Sequence, residues 1–80
     1  MLTNDQMTPN RFLTWAVARK KISFIQYHLA KGRTIHVCTY TKATAYKAKH
    51  ANMFKATKDG AFVQSGKSWL CINHCAIRVT

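Results

Sequence analysis

The sequence predicts an α+β fold: one N-terminal helix, or two short ones, packed on a small antiparallel sheet of three to five strands that could curl toward a barrel. Three observations predict it. Residues Asn10 to Lys31 run without Gly or Pro, between a Thr8-Pro9 start and a Gly32 exit. Beyond Gly32 the apolar residues no longer recur at three and four but begin to alternate. The runs that follow are short, rich in β-branched and aromatic residues, and separated by Asp59-Gly60 and Ser65-Gly66-Lys67, which are turn signals.

Each element can be justified in order. Residues 1–8 are mostly polar and read as a flexible tail, which leaves 9–80 as a single compact basic domain. Thr8 suits the N-cap and Pro9 the first helical position, where the missing N–H costs nothing. Trp15, Ala18, Ile22, Ile25 and Leu29 form one apolar stripe at spacings of three and four, and Leu13, Val17, Phe24 and His28 form a second on another side. A helix apolar on two sides is sandwiched in a core or shared with another subunit, which leans toward a homodimer through this helix. Arg19-Lys20-Lys21 interrupts the second stripe and could split the helix. "ISFIQYHL" could instead be a hairpin strand, but Gly32 is placed as a left-handed helix exit. "TIHVCTYT" (34–41) reads as a strand continuing irregularly through "KATAYK". A short helix fits around Lys49 to Phe54. "AFVQ" (61–64) and "SWLCI" (68–72) read as a hairpin with Gly66 in the tight position, and "CAIRVT" as a last strand with Asn73-His74 at the bend before it. Trp69, Cys71 and Ile77 read as core.

The charge bounds the function. Thirteen Lys and Arg face two acids in 80 residues, for a net charge of +11 and a pI near 10.2. A chain this size buries only about 60–65 % of its unfolded surface, so self-repulsion is an expense the fold does not need. A polyanionic partner is the usual reason: nucleic acid, an acidic protein surface or an anionic membrane. The membrane is the poorest fit, since the helix lacks the clean split of charge and apolar face that interfacial binding needs. No apolar run approaches the roughly 18 residues of a membrane span. The opening "MLTNDQMTPN" lacks the pattern of a secretory signal. With three cysteines, an odd number, the expectation is reduced thiols and a cytoplasmic location.

Little points to catalysis or a cofactor. The only acids are Asp5 and Asp59, so no carboxylate pair exists for acid/base work, and no enzyme activity is expected. "GKS" at Gly66 to Ser68 lacks the upstream Gly of a phosphate loop, because Ala61 stands there. His36, Cys38, Cys71 and Cys75 could in principle meet around a metal. Neither H-x-C nor C-x3-C is the tight knuckle that tetrahedral zinc prefers, however, and free Cys is most often a small buried apolar residue. No metal or other cofactor is therefore expected.

The stretch from Thr39 to Lys58 is more informative. Lys42, Lys47, Lys49, Lys55 and Lys58 alternate there with threonines, Tyr40, Tyr46 and His50, with no acid among them. Lys and Thr contact phosphates, and Tyr can stack on bases or sugars. Lys67 at its hairpin tip and Arg33 beyond the helix would extend this footprint, as would Arg19, Lys20, Lys21 and Lys31. The helix looks mainly structural and the sheet side the better docking surface. The expected function is backbone-gripping nucleic-acid binding, to DNA or RNA, of low sequence specificity, since no Arg/Asn/Gln cluster for reading base edges is visible. The alternative is a small inhibitor or adaptor that docks on an acidic protein surface. In size, charge and lack of targeting signals the chain resembles small proteins of phages or plasmids, a likeness of bulk properties that covers no motif.

Overall fold

Residues 9–39 and 41–80 are described by the computed structural model of the chain. Helix α1 spans Pro9–Ala30 without a break at Arg19-Lys20-Lys21. It ends as Gly32 predicts. The Gly32 N–H bonds to the Leu29 carbonyl (3.0 Å) and the Arg33 N–H to the His28 carbonyl (3.1 Å), with Gly32 at φ +80°. This is a Schellman exit, in which a left-handed glycine lets the last carbonyls find donors. The Arg33 guanidinium closes it from outside by donating to His28 Nδ1 at 2.7 Å.

Six strands follow: β1 (Ile35–Cys38), β2 (Ala43–Tyr46), β3 (Phe54–Thr57), β4 (Gly60–Ser65), β5 (Ser68–Cys71) and β6 (Ala76–Val79), with a 3-10 helix at Ala48–Met53. They form two separate antiparallel sheets of three strands, ordered β2-β1-β6 and β3-β4-β5, and no barrel closes. β3 is the strand that local sequence hides. Phe54 is its only large apolar residue, and it becomes a strand because the turn at Lys58-Asp59 zips it onto β4 in the register Phe54↔Val63. Gly66 at φ +62° makes the β4–β5 hairpin, which pairs Ser65↔Ser68 and Gln64↔Trp69 across a two-residue loop.

α1 rests mainly on β3, β4 and the 3-10 helix. Its first stripe supplies Ala18, Ile22, Ile25 and Leu29 to a core shared with Ile35, Val37, Phe54, Ala61, Val63 and Ile72. Each large side chain buried there contributes about 1.5–3 kcal/mol. The second stripe is not sandwiched: Leu13 and Val17 are 59 % and 62 % exposed, and Phe24 is also exposed.

The turn Ile72–Cys75 joins the two sheets. Cys75 N–H bonds to the Ile72 carbonyl (3.2 Å), which puts Asn73-His74 at the bend. Lys21 reaches across from α1 and donates its ammonium protons to the carbonyls of Ile72 (2.9 Å), Asn73 (3.0 Å) and Cys75 (3.1 Å). All three of its donors are thus used, so Lys21 is part of the frame and is not a free surface charge. Asn73 ties the same turn to the β3–β4 hairpin, accepting from the Ala61 N–H (2.7 Å) and donating to the Asp59 carbonyl (3.3 Å). The Asn73 amide lies where a side chain on Gly60 would stand, and Gly60 has φ +139°, a conformation left to glycine.

Candidate nucleic-acid interface

Strand alternation sorts the β3-β4-β5 sheet into two faces. Phe54, Ala56, Ala61 and Val63 point toward α1. Lys55, Thr57, Phe62, Gln64, Trp69 and Cys71 occupy the other face, and the pairings Lys55↔Phe62↔Cys71 and Gln64↔Trp69 put them in adjacent rows. Trp69 is 40 % exposed and Phe62 half-buried. The Lys55 ammonium stands 4.0 Å from the centre of the Trp69 ring, a cation–π contact in which the ammonium holds a charge beside an aromatic surface. Lys58 sits in the turn at one end of this face and Lys67 in the turn at the other, both exposed. Thr57 is not available to a ligand in the same way, since its hydroxyl donates to the Gly60 carbonyl (3.3 Å) and accepts from the Asp59 N–H (3.1 Å).

The residues singled out from sequence fall into two groups. Lys55, Lys58 and Lys67 belong to this sheet. Lys42 precedes β2, Lys47 follows it and Lys49 lies on the 3-10 helix, all exposed. Tyr46 is held by the core: its ring meets Phe54 edge-on at 5.1 Å and His50 at 6.1 Å, and burial raises its hydroxyl pKa. Tyr40 lies outside the described residues, as do Thr8 and the tail. Arg33 is taken up by His28, Arg19 stands 4.7 Å over the Trp15 ring and Lys31 5.5 Å over the Tyr27 ring.

Trp69 and Cys71 correct the expectation that they are core, for both face outward. β5 is an edge strand that α1 does not cover, so alternation on it separates two exposed faces. Phe62 and Trp69 are the residues that sequence reasoning missed. The signal for them is the Gly66 turn: once it fixes the β4–β5 register, Phe62 and Trp69 must share a face, and the Lys58-Asp59 turn sets Lys55 on the same one.

The thiols do not pair across neighbouring strands. Cys38 is on β1 of one sheet and Cys71 on β5 of the other. Together with Thr39, Asn73, His74, Cys75 and Ala76 they line a cleft of about 520 Å³ between the sheets. His36 turns away to Thr80 Oγ1 (3.0 Å). Among the described residues no three His, Cys, Asp or Glu side chains are grouped to hold a metal ion, and no helix is long and apolar enough to cross a membrane. The chain matches no protein-family model, and no curated protein or solved structure matches it significantly.

Proposed function

We propose that the protein binds single-stranded nucleic acid, DNA or RNA, on the outer face of the β3-β4-β5 sheet. The observation that carries this reading is the juxtaposition of Lys55, Phe62 and Trp69, with Lys58 and Lys67 at the ends of the same sheet. Aromatic side chains on an open sheet give bases a stacking platform, and flanking lysines draw in the phosphates. Such sites bind with little sequence preference, because every base has a π-face. The net charge of +11 supplies the long-range attraction. Lys42, Lys47 and Lys49 add to it as charge near the β2-β1-β6 sheet.

The test is a titration with a fluorescent oligonucleotide at low salt. Trp69→Ala is expected to weaken binding about 5- to 150-fold, the equivalent of roughly 1–3 kcal/mol for a stacked base. In a Trp15→Phe background the remaining indole emission should be quenched as the strand binds. Saturable binding that Trp69→Ala leaves unchanged would move the site elsewhere.

A second reading has its own observation. Leu13, Val17, Phe24 and Tyr27 remain exposed along α1, with Lys20 and Lys31 among them. An apolar stripe edged by lysines suits an acidic-rimmed groove on a protein, the adaptor or inhibitor alternative. Val17→Ser with Phe24→Ser should then abolish a protein association that survives nuclease treatment and leave oligonucleotide binding intact.

A further inference from the structure

The free edge of β5 is self-complementary, and we propose that two copies of the chain pair there, β5 against β5 in antiparallel register centred on Leu70. The argument begins with the backbone. The Ile72 N–H bonds to the Ala61 carbonyl at 2.8 Å, which fixes the alternation of the ladder. Ser68 and Leu70 therefore turn their peptide groups toward β4, while Trp69 and Cys71 turn theirs away from the sheet. Among the described residues nothing covers that edge.

A two-fold axis at Leu70 sets Trp69 of each copy opposite Cys71 of the other. Each such pair exchanges both N–H···O bonds, so all the outward backbone groups of both strands are satisfied and a continuous six-stranded sheet results. Side chains fit the same register. Leu70, 51 % exposed although its residue points to the inner side of the sheet, would meet its own copy. Trp69 of the second copy would lie beside Cys71, at the mouth of the thiol-lined cleft, where sulfur and indole make favourable contacts.

Charge favours this edge over α1 as the place where like chains meet. "SWLC" carries no charge and none of the lysine or proline gatekeepers that protect edge strands. Along the strand the nearest cation, Lys67, would lie about 20 Å from its counterpart across the axis, given about 3.4 Å per residue, well beyond a Debye length of about 8–10 Å, and Lys55, whose ammonium stands over the Trp69 ring, belongs to β3, two strands in from the edge. A helix pair through Leu13, Val17 and Phe24 would instead stack Lys20 and Lys31 of both copies together, with no acid to balance them. Leu70 lies off the proposed nucleic-acid face, so this inference stands or falls separately from that reading.

The experiment is light scattering of the full chain across a concentration series, with and without Leu70→Lys, at moderate salt. Wild type is expected to reach the dimer mass, and Leu70→Lys to halve it with the far-UV spectrum unchanged. In a Cys38→Ser, Cys75→Ser background the two Cys71 side chains are diagonal neighbours about 7–8 Å apart. A short bismaleimide should join them, and a direct disulfide should not form readily. A wild-type chain that stays monomeric throughout, or a dimer that persists in Leu70→Lys, overturns the proposal, and so does a dimer lost only on Val17→Lys.

Discussion

The two sheets have the same strand number and the same antiparallel pairing, yet their outer faces differ sharply. On β2-β1-β6 the inner positions are Ile35, Val37, Thr44, Tyr46, Ile77 and Val79, and the outer ones are His36, Cys38, Ala43, Ala45, Ala76 and Arg78. On β3-β4-β5 the inner positions are Phe54, Ala56, Ala61, Val63, Ser68 and Leu70, and the outer ones include Lys55, Phe62, Gln64 and Trp69. Packing explains the inner residues that are buried, because each fills space beneath α1 or between the layers; Thr44, Ser68 and Leu70 are inner by register but exposed. It explains none of the outer ones. The outer face of the first sheet sets three alanines beside His36, Cys38 and Arg78. On the second, Trp69 is exposed and Phe62 half-buried beside Lys55, and this is the face on which the proposed nucleic-acid site rests.

Three tests would break or sharpen the contrast. Phe54→Ala strikes the inner face of the second sheet, where Phe54 is 4 % exposed and packs on Tyr46. It should cost about 3–5 kcal/mol in urea unfolding, enough to unfold a domain this small. If its cost is below about 1 kcal/mol, α1 does not hold the sheet as described. Lys21→Met leaves three carbonyls of the inter-sheet turn without their ammonium donor and should cost about 2–3 kcal/mol, whereas Lys20→Met, fully on the surface, should stay within about 0.5 kcal/mol. The smallest effect separates the two outer faces directly. Lys55→Gln should lower the slope of log affinity against log salt for a single-stranded oligonucleotide by about 0.7. Arg78→Gln, which removes the same charge from the other sheet, should leave the slope where it was. Equal losses would mean that the whole cationic surface binds and the aromatic face has no special part.

Much of the fold was legible because its boundaries are chemical. Pro9 and Gly32 bracket α1, and Gly66 and Asn73-His74 mark two later turns. β3 was not legible: Phe54-Lys55-Ala56-Thr57 has weak strand propensity, and only the tertiary contact of Phe54 makes it one. The continuity of α1 through Arg19-Lys20-Lys21 was hidden for a related reason, since the role of Lys21 lies in carbonyls more than fifty positions away. For the site, the lysines could be counted in the sequence but not sorted into faces. Trp69 reads as core from sequence because a tryptophan in a short apolar run ordinarily is core. Its position on an uncovered edge follows from where α1 stops, which no local pattern records.

The grip of Lys21 on residues 72–75 also has a consequence for the order of events when the chain is made. Helix α1 leaves the ribosome carrying an ammonium group whose acceptors are synthesised more than fifty positions later. Until Ile72 and Cys75 emerge, the core lacks the fully buried Ile72 and α1 has no place for that charge, and the β3–β4 hairpin lacks the Asn73 clasp at its turn. A chain arrested before residue 72 would hold a helix and hairpins without the knot that makes them one body. Folding should therefore be late and all-or-none, and a protease cut between β5 and β6 should undo the domain as a whole, where a loosely assembled one would lose only its last strand.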